Sequence, residues 1–280
     1  MVIRARAHAK INWSLNITGV RADGYHELDM LMQSVALGDD MTFAAGEGVT
    51  LYVDGAPAVE PEKNLVVKAA RALQAHAGTS RGAVITLEKH VPARAGLGGG
   101  SADCALTLRA LNALWGLGLD DGTLLDIGAK LGADVPFCLT GGLARVRGIG
   151  EVIDPVPDAP EIPLALVTPG GGLSTAEVFR LWDGGFGPVA LDNMKLAEAV
   201  TKRDLEAVDA LCANALTAPA LQLMPEIGAV MDRLRQLGAR AVFMTGSGST
   251  VVGAFDPADA AKAAAEIPGA ILTHTLSRIR

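Results

Sequence analysis

The chain has 280 residues, which is enough for one or two domains with a sizeable core and no disulfide or metal staples. Half of the residues are hydrophobic and 20% are charged, which excludes extended disorder. The 24 basic and 31 acidic residues leave a net charge of −7 without a long basic run, which argues against a nucleic-acid or membrane-surface partner.

The three cysteines, Cys104, Cys138 and Cys212, are far apart and form no CxxC or Cys/His cluster. We therefore expect free thiols in a reducing compartment rather than a disulfide framework or a zinc site. The first residues lack the apolar stretch of a signal peptide, and no segment has the roughly 18 uninterrupted apolar residues of a membrane span. These features predict a cytoplasmic protein.

Apolar and polar side chains alternate over residues 3–17, and this period of two predicts a long, half-buried strand. His8, Lys10, Asn12 and Ser14 then share its polar face. A second strand is predicted over residues 25–37, and residues 41–43 and 49–53 are predicted to form a hairpin. Helical spacing predicts a helix over residues 64–77 that ends at Gly78, and a strand follows over residues 83–87.

Later elements mix strands and helices without a regular βαβ repeat, which predicts an α+β fold in two lobes. Helices are predicted over residues 102–115, 122–131, 174–182 and 257–265, and over most of 196–237 with breaks at Pro219 and Pro225. Strands are predicted over residues 164–168, 241–244 and 251–255, with an end strand near residue 271. Four prolines within residues 153–163 predict a linker, so that residues 1–152 and 153–280 form the two lobes.

The densest chemical signal is residues 92–103 (PARAGLGGGSAD), which we call the first glycine segment. Glycines allow the backbone to approach an anion, and the N-terminus of the helix that follows adds free N–H groups and a positive dipole end. This combination predicts a phosphate cradle; the alternative is a flexible turn capped by Ser101 or Asp103. The segment lacks GxxxxGK[ST], which excludes a P-loop, and it lacks GxGxxG, which argues against a dinucleotide fold.

Two further segments invite a functional interpretation. Residues 245–250 (TGSGST), the second glycine segment, form either a ligand-binding loop or an ordinary tight connection. Asp134, in the otherwise apolar residues 132–139 (GADVPFCL), is either a helix cap or a functional carboxylate.

Taken in order, residues 9–12 (AKIN), both glycine segments and the Asp134 segment resemble the GHMP small-molecule kinases, which include homoserine, mevalonate and galactose kinases. Residues 21–28 (RADGYHEL) are similar to the member of this family that acts on a cytidine-diphosphate-linked methylerythritol. The resemblance implies a two-lobed fold with the active site in the cleft between the lobes. It also implies transfer of the ATP γ-phosphoryl group to the 2-hydroxyl of that substrate, in non-mevalonate isoprenoid synthesis.

The resemblance also implies roles for individual residues. Lys10 falls on the catalytic lysine and Asp134 on the catalytic aspartate, which suits charge neutralisation and proton acceptance in phosphoryl transfer. The implied substrate contacts are Asn12, Tyr25 and Phe179 on either side of the cytosine, His26 on its polar edge and Thr175 on the ribose. The implied ATP-binding residues are Asn64 and Leu65 near the adenine and, around the phosphates, Pro92, Ala93, Arg94, Ala95, Gly96, Leu97, Gly98, Gly99, Gly100, Ser101 and Ala102.

The sequence departs from the family pattern at Arg94, where a glycine is common, and at Ala102, where a second serine is frequent. Magnesium is expected to arrive mainly with ATP, and Ser101 is its one candidate protein ligand. We expect small-molecule substrates only, no nucleic-acid or membrane partner, and a monomer or weak homodimer. The alternatives are another kinase of the same family and a non-catalytic nucleotide- or RNA-binding module.

Overall fold

The computed structural model describes residues 1–55, 60–157 and 159–277. Strands and helices follow one another in mixed order along these residues. The strands are β1 Val2–Val20, β2 His26–Gly46, β3 Val49–Asp54, β4 Gly82–Glu88, β5 Leu143–Gly148, β6 Val152–Pro155, β7 Pro163–Val167, β8 Ala241–Met244, β9 Val251–Ala254 and β10 Ile271–His274. The helices are α1 Leu65–Ala77, α2 Gly99–Trp115, α3 Asp121–Leu131, α4 Val135–Thr140, α5 Thr175–Asp183, α6 Asn193–Lys202, α7 Leu205–Leu211, α8 Thr217–Leu223, α9 Glu226–Gln236 and α10 Pro257–Glu266.

The chain divides into two compact units, each assembled from three stretches of sequence. Unit 1 consists of Met1–Ala9, Leu37–Val91 and Gly98–Thr140. Unit 2 consists of Lys10–Ala36, Pro92–Leu97 and Gly141–Arg280. The lobes predicted from the sequence, 1–152 and 153–280, are consecutive halves, and that boundary stays a prediction.

Unit 1 packs helices α1 to α4 against a small sheet. β4 lies between the C-terminal half of β2, to which it is antiparallel, and β3, to which it is parallel. Buried apolar side chains from the strands and helices form one core, including Phe43, Leu73, Ile85, Leu108 and Trp115. Asn64 caps α1 because its side-chain oxygen accepts from Val66 N at 2.9 Å.

The hairpin predicted over residues 41–53 is wrong, because β4 separates its two strands. Gly82, the first residue of β4, lies so close to the turn that an added Cβ would be 2.5 Å from Gly48 N and 2.6 Å from Gly46 O. The adjacent Ala83 N donates to Gly48 O at 2.9 Å. A strand distant in sequence therefore takes the hydrogen bonds that a local hairpin would have made.

Unit 2 contains a second, antiparallel sheet in the order β10-β7-β9-β8. The N-terminal half of β2 pairs with β5, which in turn pairs with β6. β6 lies in the predicted proline-rich linker, of which Asp158 is outside the described residues, and β5 and α4 were not predicted. None of the described helices has the length and apolarity needed to span a membrane.

Two other expectations about elements need correction. β1 is buried on both faces from Ala9 to Leu15, so it is not the half-buried strand that was predicted, and its polar side chains lie inside the protein. The region 196–237 forms four helices, and Pro219 lies in the first turn of α8, where its missing N–H is not required. Pro225, as predicted, precedes a new helix, α9.

Candidate active site

The candidate residues fall in both units, and in unit 1 they gather around the start of α2. This helix begins at Gly99, three residues earlier than the sequence predicts, after Gly98 with φ +67°. No side chain caps it, so the predicted alternative of a turn capped by Ser101 or Asp103 is wrong. The N–H groups of the first turn have no acceptor within the helix, and with the helix dipole they suit an anion.

Two other segments of unit 1 lie beside this helix start. A Cβ added to Gly132 would be 3.8 Å from Ser101 Oγ, which places the segment containing Asp134 next to the first turn of α2. Asp134 is half-buried, and its carbonyl accepts from Cys138 N at 3.0 Å as α4 begins. On another side, Leu65 Cδ1 is 3.7 Å from a Cβ built on Gly100, so the start of α1 also adjoins the start of α2.

In unit 2, the structure brings the two glycine segments together. Gly96 has φ +77°, and an added Cβ would be 2.3 Å from the carbonyl oxygen of Thr245. Thr250 N donates to Ala95 O at 3.3 Å. The second glycine segment is buried throughout, so it is more than a surface connection: it supports the backbone of residues 95 and 96.

Arg94 adopts φ +54°, a backbone conformation that glycine adopts more easily than other residues. This explains in physical terms why a glycine suits the position and why Arg94 is a departure. Its side chain is exposed, and its carbonyl accepts from Leu173 N at 3.1 Å.

Lys10 and Asn12 lie side by side on β1, as the period of two predicts. Lys10 is only 4% exposed, and its Nζ donates to Asn12 Oδ1 at 2.8 Å. Lys10 N also donates to Leu97 O at 3.0 Å, and Asn12 N donates to Thr245 Oγ1 at 2.8 Å. Backbone hydrogen bonds thus join the strand that carries the buried Lys10 ammonium group to both glycine segments.

The predicted aromatic site is built around His26 in unit 2. Its ring lies 4.7 Å from that of Phe179 and 5.7 Å, edge-on, from that of Trp182. His26 Nε2 is 2.8 Å from Asp183 Oδ1. Tyr25 is 60% exposed, and the Thr175 hydroxyl is hydrogen-bonded to that of Ser247 at 2.8 Å, which connects this site to the second glycine segment.

Two buried polar groupings were not predicted from the sequence. In unit 2, Ser14 Oγ donates to Asn193 Oδ1 at 2.5 Å, and Asn193 Nδ2 donates to Asp29 Oδ1 at 2.8 Å. Arg145 forms a two-point ion pair with Asp29 and keeps the pKa of that carboxyl below its usual value against the opposing effect of burial. The alternation in β1 identifies Ser14, but no sequence signal identifies its distant partners.

The second grouping, in unit 1, is the ion cluster of Lys89 with Asp39 and Asp103. Burial and the neighbouring Asp39 raise the pKa of Asp103 to about 7, although Lys89 opposes the shift. The position of Asp103 in the first glycine segment is the one signal that could have pointed to it.

The donor set for a metal is sparse. Over the parts of the chain that the structure describes, no group of three or more His, Cys, Asp or Glu side chains could hold a metal ion. Ser101 stays the one predicted protein contact for magnesium.

Comparisons with known proteins identify the family of the chain. Residues 64–142 match the family description "GHMP kinases N terminal domain" and residues 196–270 match "GHMP kinases C terminal". A 4-diphosphocytidyl-2-C-methyl-D-erythritol kinase from Pelotomaculum thermopropionicum is 43% identical, covering 90% of this chain and 89% of that protein. One from Moorella thermoacetica is 42% identical over 98% of this chain and 99% of the relative.

A solved structure is also similar along nearly the whole chain. The crystal structure of a 4-(cytidine 5'-diphospho)-2C-methyl-D-erythritol kinase is 34% identical with a TM-score of 0.83, covering 98% of this chain and 99% of the other. The chain belongs to the GHMP kinase family, and within it groups with these relatives. It is a small-molecule kinase, and as a member of this family it uses ATP.

Proposed function

We propose that this kinase transfers the γ-phosphoryl group of ATP to the 2-hydroxyl of 4-diphosphocytidyl-2-C-methyl-D-erythritol, in the synthesis of isoprenoid precursors. The observation that carries the proposal is the start of α2, which no side chain caps and which lies within the first glycine segment. Just before this helix, Ala95 O accepts a hydrogen bond from Thr250 N of the second glycine segment. The names of the relatives support the acceptor.

Phosphoryl transfer needs positioning and charge neutralisation more than covalent chemistry. We assign the triphosphate to the backbone N–H groups at the start of α2 and to residues 92–102, and the adenine to the neighbourhood of Asn64 and Leu65. The ammonium group of Lys10 neutralises charge on the transferred phosphoryl group. Because Lys10 is buried and held by Asn12, little side-chain entropy remains to be lost when phosphate binds.

Asp134 accepts the proton of the attacking hydroxyl in this proposal. A carboxylate within hydrogen-bond reach of an alcohol is a suitable general base, and half-burial leaves Asp134 accessible to a bound substrate. Its segment adjoins Ser101 at the start of α2, on the side where the proposal puts the triphosphate. When bound, magnesium supplies charge neutralisation through the phosphates, with Ser101 as the protein group to contact it.

The aromatic site is assigned to the cytidine. With Nε2 of neutral His26 donating to Asp183, Nδ1 becomes an acceptor, which matches the exocyclic amino group of cytosine. Tyr25 and Phe179 provide ring faces for the base, Thr175 contacts the ribose, and Asn12 contacts the sugar alcohol.

The test is a coupled assay of ADP release with a panel of hydroxyl acceptors. We expect turnover with 4-diphosphocytidyl-2-C-methyl-D-erythritol and almost none with homoserine or mevalonate. Equal turnover of homoserine would refute the acceptor assignment. Binding of nucleotide without release of ADP with any acceptor would favour the non-catalytic alternative.

A further inference from the structure

Asp39, Lys89 and Asp103 form an ion cluster inside unit 1. Lys89 Nζ donates to Asp39 Oδ2 and, at 2.7 Å, to Asp103 Oδ2. Asp39 is fully buried, Asp103 is 3% exposed, and the Lys89 side chain is 14% exposed. Burying such a cluster has a large desolvation cost, so its contribution to stability alone is a weak explanation for its presence.

The other carboxylate oxygen of Asp39 accepts hydrogen bonds from backbone N–H groups rather than from side chains. Asp39 Oδ1 accepts from His90 N at 2.6 Å and from Val91 N at 2.8 Å. These two residues directly precede the first glycine segment, and Asp103 is the last residue of that segment. The cluster therefore connects the chain that enters the segment to the helix that leaves it.

The first turn of α2 packs on the same group of residues. A Cβ added to Gly99 would be 2.9 Å from Val91 Cγ1 and 3.5 Å from Asp39 Oδ2. A shift of Val91 away from Asp39 would therefore also change the support of Gly99. The N–H groups that the proposed function assigns to phosphate lie in the helix turn that makes this contact.

We propose that Asp39, Lys89 and Asp103 are positioning residues that fix both ends of the first glycine segment, and thereby hold the first turn of α2 in the conformation that binds the ATP phosphates. This inference rests on the proposed function, because it assigns the segment to ATP. Fixing the segment before ATP arrives removes part of the ordering cost of binding. Its loss should weaken nucleotide binding more than it slows the chemical step.

The charge balance of the cluster fits this role. Two ionised carboxylates around one ammonium would leave a net negative charge beneath an anion site. The burial that raises the pKa of Asp103 to about 7 keeps this carboxyl largely protonated below neutral pH, where the cluster is neutral. Lys89 keeps its charge, since both carboxylates raise its pKa against the effect of burial.

The experiment compares Asp39→Asn with Asp40→Asn. The two residues are neighbours on β2, but the ion-pair partners of Asp40 are exposed Arg6, at 2.8 Å, and the exposed side chain of His90, at 3.3 Å, rather than Lys89. Asp39→Asn replaces the charged acceptor of two backbone N–H groups by a neutral amide oxygen, which is a weaker acceptor. If Oδ1 keeps these two donors, the amide N–H₂ group faces Lys89 and cannot accept its hydrogen bond. Calorimetry with ADP and steady-state kinetics are run on variants whose melting curves show a folded state.

We expect Asp39→Asn to raise the ADP Kd and the KM for ATP at least about tenfold, since it weakens hydrogen bonds to a charged group, with a smaller change in kcat. The KM for the acceptor in Asp39→Asn should match the parent, and so should the ADP Kd and the kinetic constants of Asp40→Asn. A folded Asp39→Asn protein with an ADP Kd within about twofold of the parental value would overturn the inference.

If Asp39→Asn does not fold, Asp103→Ala provides the second test, because it removes the acceptor through which Lys89 contacts α2. We expect its ADP Kd to rise at least about threefold at pH 6, where the parental carboxyl is largely protonated and the substitution therefore removes no charge from beneath the anion site. An unchanged Kd at pH 6 would overturn the inference. A parent protein that binds no ADP would instead contradict the proposed function.

Discussion

The side-chain hydroxyl of Thr245 accepts a hydrogen bond from the backbone N–H of Asn12 at 2.8 Å, across 233 residues of sequence. Both residues are buried, and Asn12 is also the acceptor for Lys10 Nζ. The second glycine segment thus helps to fix the strand that carries the proposed catalytic lysine. A loop that looked separate in the sequence therefore supports the same strand.

Replacing this hydroxyl should reveal its contribution. Thr245→Val leaves the buried Asn12 N–H without its acceptor, and we expect the free energy of unfolding to fall by about 1–3 kcal/mol. The kcat should fall as well, since Asn12 and Lys10 lose part of their support. Thr245→Ser keeps the acceptor and should stay near the parent in both respects. Denaturant unfolding and kinetics check the pair, and equal losses in Val and Ser variants would contradict this role.

Gly96 and Gly171 offer a matched pair of glycines with positive φ, +77° and +80°. A Cβ on Gly96 would meet Thr245 O at 2.3 Å, whereas a Cβ on Gly171 would meet nothing within 4 Å. Both alanine variants carry a backbone strain of about 1–2 kcal/mol. Only Gly96→Ala should also separate the glycine segments and weaken ADP binding by about tenfold or more. Calorimetry that finds the two variants alike would refute the assignment of this loop to nucleotide.

The two tyrosines allow a controlled test of the cytidine site, because Tyr25 and Tyr52 are each 60% exposed. If Tyr25 stacks on the base, Tyr25→Ala should weaken CDP binding by about 5- to 100-fold, since a stacked base contributes about 1–3 kcal/mol. ATP binding should change little, and Tyr52→Ala should affect neither ligand. Titrations with CDP and ADP distinguish stacking from a general loss of structure, which would weaken both nucleotides.

Local patterns in the sequence predicted the parts of the site that depend on neighbouring residues. Alternation in β1 placed Lys10 and Asn12 on one face, and their side chains lie 2.8 Å apart. The glycine-to-helix transition predicted the start of α2 to within three residues. These features follow from strand period and helix capping, which a single stretch of chain encodes.

Pairing between distant segments could not be predicted in this way. Asp39 belongs to no motif, and it reaches His90 and Val91 because β2 and β4 pair in the register Asp40↔Glu88. The burial of Lys10 likewise depends on what covers the polar face of β1, which alternation alone does not reveal. The hairpin expected after Phe43 was wrong because its local turn signal competed with the nonlocal strand β4.

Asp103 should give stability a distinctive dependence on pH. Its pKa is raised from 3.8 to about 7 by burial and by Asp39, so between these values the folded protein keeps a proton that the unfolded chain has released. Its contribution to stability therefore falls as pH rises from about 4 to about 7, and then stays constant. Asp103→Asn lacks this loss, so its melting temperature relative to the parent should rise over the same range.

Asp40 is the control of opposite sign, because Arg6 lowers the pKa of this carboxyl. The stabilisation by Asp40 is present above its unfolded pKa and is lost as pH falls through the lower folded value. Asp40→Asn should therefore approach the parent only in acid. Calorimetric melting checks the two directions, from pH 4 to 8 for Asp103→Asn and down to about pH 2 for Asp40→Asn. A difference between Asp103→Asn and parent that does not vary with pH would contradict the Asp103 assignment.

The final prediction separates catalysis from binding at Asp134 and Lys10. Asp134→Asn keeps the shape of the side chain but removes its charge and its capacity to accept a proton. If Asp134 is the general base, kcat should fall at least about a hundredfold while KM for both substrates changes much less. Lys10→Met should abolish turnover too. It should also lower stability, because Lys10 is only 4% exposed and donates to Asn12, which differs from the half-buried strand predicted from the sequence.

Asp126→Asn is the matched control for the first of these variants, since Asp126 belongs to α3 of the same unit and has no proposed role. Steady-state kinetics are measured after each protein is shown to melt cooperatively, with ADP affinity measured in parallel. A cap at the start of α4 would tolerate asparagine nearly as well as aspartate, because both are good capping residues. If the folded Asp134→Asn enzyme keeps more than about a tenth of the parental kcat, Asp134 acts as a helix cap and the reaction requires another proton acceptor.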